Sequence, residues 1–184
     1  MQRYSRAASL IFGVLMLALA AAVTLETLVR KIFSISLGGV DELSGYAIAI
    51  GAPLAFAVAL IERSHIRINI FYLRLGERVR GMLDSLAVFS LGALAIFLFI
   101  FTVITVRETQ TYQSIAQTPW ATPLIYPQFL WMLGMGAFLV SAVWLSMKAV
   151  LMLARGDWIG LTLLGGPETI EEELKAELDD LKRR

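Results

Sequence analysis

Apolar residues in this chain fall into four long runs, with the polar residues gathered between them. The runs read as helices over about 7–28, 43–61, 82–106 and 127–153. A helix needs roughly 20 residues to cross a hydrocarbon core of about 30 Å. The pattern therefore predicts an all-α integral membrane fold with four spans in one membrane domain, residues 1–155. Residues 156–184 follow as a tail with an amphipathic helix at about 167–184. There Pro167 opens the helix, acids crowd its first half, and Ile170, Leu174, Leu178 and Leu181 share a stripe.

Each run has its own character. The first follows Arg3 and Arg6, and the small residues Ala20, Ala21 and Ala22 also fit a cleaved signal peptide. It exceeds the roughly 7–15 residues of a signal core, so it reads as a span. Glu26 and Arg30 lie one turn apart near its end, placed either to pair or to snorkel separately. Arg30–Asp41 makes the first turn-around, an extended interfacial segment with a sharp bend at Gly38 and Gly39. Asp41 is the expected N-cap of the second helix, and Glu42 sits in its first turn. In that helix Gly51, Ala55 and Ala59 recur every four residues, a spacing that lets backbones approach closely in lipid. Pro53 removes a backbone donor near its middle, which predicts a kink.

The stretch Ile61–Arg80 is the longest polar break and holds the only histidine, His65. Its Arg63, Arg67, Arg74 and Arg78 fall within roughly 60° on a helical projection at 3.6 residues per turn. This predicts a basic interfacial arm at the headgroups. The alternation through His65–Ile70 fits an extended start equally well. The third run is the bulkiest, with Phe89, Phe97, Phe99 and Phe101, and Asp84 stands at its entry. Arg107–Tyr126 is a Thr- and Gln-rich loop that Pro119 and Pro123 make stiff and non-helical. Trp120, Tyr126 and Trp131 mark the interface belt, and Gly134, Ala137 and Ser141 give the fourth helix a small-residue seam.

Charge then orients the chain. Thirteen Lys and Arg residues lie in the N-terminus, the arm and the segment from Lys148 onward, against three in the two outer turns. By the positive-inside rule both termini and the arm are cytoplasmic.

Composition narrows the chemistry. Hydrophobic residues make up 58% of the chain and the mean hydropathy is +0.71, well outside the soluble class. The net charge of +1 gives no field for nucleic acid. No cysteine and a single histidine exclude thiolate metal sites and bis-histidine haem, so no cofactor is expected. No acid or base stands mid-span, where one would read as a transport or proton site. The remaining picture is a packed helical unit that serves a larger partner.

The residues Arg30, Asp41-Glu42-Leu43, the Gly/Ala-rich helix into Arg63-Ser64-His65-Ile66-Arg67-Ile68-Asn69, and Thr118-Pro119, Thr122-Pro123-Leu124 and Pro127 carry a resemblance. Over roughly Ala7–Leu153 the chain resembles the small, DctQ-like Q component of tripartite ATP-independent periplasmic (TRAP) transporters. It departs at Asn69, where that family usually has Asp. The resemblance implies an inner-membrane permease subunit, not an enzyme. It would scaffold a large permease subunit and help dock a periplasmic solute-binding protein, with sodium handled only by the large subunit. Arg30 and Glu42 become candidate contacts at the periplasmic end, and Gly51, Ala55 and Ala59 a candidate packing face. His65, Arg67 and Arg74 become candidate contacts to phospholipid headgroups or the large subunit. The alternatives are an intramembrane lipid-modifying enzyme, with His65 and Glu62 as its one candidate pair, and a self-sufficient four-helix channel or carrier.

Overall fold

A computed structural model describes residues 2–36, 38–61, 72, 74–166 and 178. His65, Arg67, most of the basic arm and nearly all of the tail helix lie outside these residues. The described chain is all-helical: α1 (Gln2–Phe33), α2 (Val40–Ile61), α3 (Glu77–Tyr112), α4 (Ile125–Arg155) and α5 (Trp158–Gly165). The first four are long and apolar enough to cross a membrane.

These helices run past their apolar runs. Helix α3 has 36 residues, about 54 Å at 1.5 Å per residue, against a hydrocarbon core of about 30 Å. Its last turns, through Arg107, Glu108 and Tyr112, take up the start of what the sequence reads as a non-helical loop. Polar side chains leave the hydrocarbon without ending the backbone ladder, since each helical amide keeps its partner four residues back. Helix α2 begins at Val40, so Asp41 lies inside the first turn rather than before it. Pro53 sits within α2, which continues to Ile61.

The described chain forms two compact units: Met1–Val58 with Ala95–Leu139, and Ala59–Leu94 with Val140–Arg184. In the first, α1, α2 and α4 meet at small residues. Gly51 lies against the Phe12 ring, and a Cβ built on Gly134 would stand 3.1 Å from Pro53 Cβ. Phe56 and Phe138 pack with ring centroids 5.9 Å apart. Pro53 and Ala57 are buried on α2, while Ala55 is exposed. On α4 the buried residues of this unit include Met135 and Phe138.

The second unit centres on Val88, Ala149 and Leu161, with Phe89, Leu145, Met152, Trp158 and Leu164 packed around them. Gly92 is buried against Ser146, whose hydroxyl donates to Ala142 O at 2.9 Å. A methyl group on Gly92 would displace that hydroxyl. Gly92→Ala is therefore expected to cost about 1 kcal/mol, and adding Ser146→Ala should recover most of it. Thermal unfolding in detergent of the two variants decides the matter; a Gly92→Ala protein as stable as the parent would show that the crossing is looser.

Candidate functional site

The described polar chemistry concentrates at the turn between α1 and α2. Helix α1 ends at Phe33, and Ser34 takes a left-handed conformation, φ 57°. Ser36 Oγ then donates to Glu26 Oε1 at 2.6 Å, and Gly38 N donates to Ser36 Oγ at 3.2 Å. The turn is thus tied back to an acid on the helix it leaves. Gly38 and Gly39 follow with φ of 60° and 89°, values that bear no side chain easily. Leu43 N closes the first turn of α2 on Gly39 O at 2.9 Å.

The loop after α3 folds onto this turn. Gln113 is left-handed, φ 49°, and reverses the chain. Ile115 pairs with Pro123 in an isolated bridge. Ala116 N donates to Thr122 O at 2.9 Å and Leu124 N to Ser114 O at 3.1 Å, which makes a narrow tongue. Ala121, φ 47°, turns its tip and donates to Thr118 O at 3.0 Å. On the tip, Trp120 lays its indole over Gly39, and Pro119 stands 3.6 Å from where a Cβ of Gly38 would be.

Glu42 joins the two segments. Its residue is buried, and Thr118 Oγ1 donates to Oε2 while Tyr46 Oη donates to Oε1 at 2.6 Å. Thr122 faces the same carboxylate with its hydroxyl and its amide. A carboxylate is acceptor-only, so hydroxyl donors from both segments suit it. The arrangement is a clamp that holds the tongue on the α1–α2 turn.

The other candidate residues fall elsewhere. Arg30, in the last turn of α1, is exposed, and so is Arg74, just ahead of α3. Gly51 is buried on α1, Ala55 is exposed and Ala59 is half-buried. Sequence reasoning passed over a second polar cluster, at the start of α3. Tyr72 Oη donates to Asp84 Oδ2, and Arg80 stands 5.7 Å above the Tyr72 ring and donates to Leu75 O at 2.7 Å. Asp84 is only 1% exposed. Its one signal in the sequence is that it is the sole acid at the mouth of an otherwise apolar run.

A family model for the DctQ component of tripartite ATP-independent periplasmic transporters matches residues 19–151. The chain belongs to the DctQ family. No curated protein and no solved structure matches it. The family match takes in the Glu42 clamp and the arm and stops short of α5. A DctQ component is part of a transporter and not an enzyme, which sets aside the lipid-modifying reading. With four apolar helices of spanning length, this DctQ protein is a multi-pass inner-membrane protein. The tripartite system it belongs to also contains a large permease and a solute-binding protein.

Proposed function

We propose that this DctQ subunit is a rigid scaffold for the large permease subunit and helps present a docking surface to the solute-binding protein. Transport and sodium coupling belong to the large subunit. One observation carries this reading: Glu26, Glu42 and Asp84, the buried carboxylates among the described residues, each accept a hydrogen bond from a nearby side chain of the same chain. Acids held in this way brace helices and turns, whereas a carrier needs polar groups that bind and release.

The excess of Lys and Arg at both termini and in the arm supports a cytoplasmic placement for them. The clamped tongue is then periplasmic, with Tyr112, Ile115, Trp120 and Tyr126 exposed around it. The arm, with His65, Arg67 and Arg74 in its sequence, is the candidate contact for phospholipid headgroups or the large subunit. Arg30 and the exposed Ala55 offer contacts to the large subunit at other levels.

The test is purification of the tagged chain from its own membrane in mild detergent, followed by reconstitution. A large polytopic permease is expected to co-elute in stoichiometric amount. Solute uptake into liposomes should need all three components and a sodium gradient. Uptake by the purified chain alone would overturn the scaffold reading in favour of a carrier.

A further inference from the structure

Helix α5 lies outside the family match and was not legible in the apolar runs, yet it is built into the second unit. Helix α4 ends on Gly156, φ 68°, whose amide donates to Leu153 O at 3.1 Å, and Asp157 N donates to Met152 O at 3.0 Å. This closes α4 with a tight reversal. Asp157 then caps α5, accepting from Gly160 N at 2.8 Å. Thr162, within α5, donates back to Trp158 O at 3.2 Å. The one other side-chain hydrogen-bonding group of the helix is the Trp158 indole N–H, at its first residue, where an amphipathic ring suits an interface.

Its contacts give its direction. Trp158 lies beside Gly81, a Cβ there standing 3.3 Å from Trp158 O. Gly165 lies beside Asp84 and Val88, a Cβ on it standing 2.9 Å from Val88 Cγ2 and 3.3 Å from Asp84 O. From Gly81 to Val88 is about 10 Å along α3, close to the roughly 12 Å length of α5 itself. Leu161 meets Ala149, well before the end of α4. The segment thus turns back alongside α3 and α4, away from the end where α4 finishes and toward the middle of both spans.

One face of α5 is covered and one is not. Leu161 is 1% exposed, whereas Ile159 and Leu163, one turn apart, are 62% and 56% exposed. Along the stretches of α3 and α4 that α5 packs on, α3 exposes Val79, Met82, Leu83 and Leu86, and α4 exposes Val150 and Leu151. In the same unit Arg74 and Arg78 are exposed around the start of α3 and Arg155 at the end of α4, with the exposed acids Glu77 and Asp157 among them. Exposed apolar side chains with cations at one end of the unit match the acyl and anionic headgroup layers of a lipid leaflet.

We propose that α5 is a re-entrant segment seated in the acyl boundary of the leaflet on the Arg74–Arg78 side. Ile159 and Leu163 face lipid chains and Leu161 faces the bundle. Gly165 and Tyr72 together keep Asp84 away from hydrocarbon. The occupant of the exposed face is lipid, because the face continues the exposed apolar surface of α3 and α4 at the end of the unit where Arg74, Arg78 and Arg155 supply cations for headgroups.

The chain has no cysteine, so single labels are straightforward. Ile159→Cys, Leu163→Cys, Leu151→Cys and Arg78→Cys are spin-labelled one at a time. Each is assembled with a cysteine-free large permease in nanodiscs of phosphatidylethanolamine and phosphatidylglycerol. Collision with oxygen, which partitions into lipid, is compared with collision with a water-soluble nickel chelate. Labels at Ile159 and Leu163 are expected to match Leu151 in oxygen access and to fall severalfold below Arg78 in nickel access. Nickel access equal to that at Arg78 would place α5 at the headgroups or outside them, not among acyl chains, and overturn the proposal. Low access to both reagents would show that protein covers the face, and would overturn it equally.

Discussion

Gly39→Ala is expected to be among the most damaging single-methyl additions to this protein. At φ 89° a Cβ is strained, and the space it would need is filled by the Trp120 indole. Left-handed strain at a non-glycine residue and overpacking each cost about 1–3 kcal/mol, so the variant should lose about 2–6 kcal/mol. Its neighbour is the control. Gly38, φ 60°, has only Pro119 nearby at ordinary contact distance, so Gly38→Ala should cost about 1 kcal/mol. Adding Trp120→Ala to Gly39→Ala should recover the steric part and leave the backbone part. Thermal unfolding in mild detergent separates these outcomes. Equal losses at Gly38 and Gly39 would mean that Trp120 does not rest on the turn.

The second large effect is expected at Glu42. Glu42→Leu leaves the hydroxyls of Thr118, Thr122 and Tyr46 without their shared acceptor. Buried donors that lose a partner favour opening, and a tongue held mainly by that acceptor opens locally before the helices do. Proteolytic cleavage within the loop of residues 113–124 should rise about tenfold, with the helices still intact. Glu42→Gln keeps one acceptor oxygen and should give a smaller rise. Thr118→Val should raise cleavage in the parent and add little in Glu42→Leu, because both remove the same bond. If the tongue helps dock the solute-binding protein, uptake by the reconstituted three-component system falls in step with cleavage. Unchanged cleavage in Glu42→Leu would show that the clamp carries no load.

The spanning helices were legible because hydrocarbon demands a continuous apolar run, and four such runs stand out in the chain. Their ends were less legible. Arg107 and Glu108 mark where apolar character stops, yet α3 continues to Tyr112 because a helix ladder is indifferent to where the hydrocarbon ends. Spacing by four marks a stripe that permits close approach, Gly51, Ala55 and Ala59; within this chain Gly51 is buried, Ala59 half-buried and Ala55 exposed, while Pro53 and Ala57 are also buried on α2. Which face a helix buries depends on partners far away in sequence, as with Phe56 and Phe138. Helix α5 is apolar on every side and eight residues long, so it carries no periodic signal. Its local marks are Asp157 before it and the glycines at its end.

At the site, position places Glu42 in the first turn of the second helix, and it is the resemblance to the DctQ component that makes it a candidate partner contact. What the structure adds is its donors. Tyr46 lies four residues away on the same helix and was within reach of a sequence argument. Thr118 lies 76 residues away, and no local pattern connects the two.

That separation also sets a timetable for assembly. A ribosome adding roughly 5–20 residues each second needs about 4–15 s to travel from Glu42 to Thr118. Late in that interval, once the second helix has left the ribosome, Glu42 has Tyr46 beside it while its donors on the tongue are still unmade. The nascent subunit must therefore hold an acid at the bilayer edge on provisional partners, water or headgroups, until the tongue emerges. The arrival of the Thr118 hydroxyl is what lets the clamp between the α1–α2 turn and the tongue close.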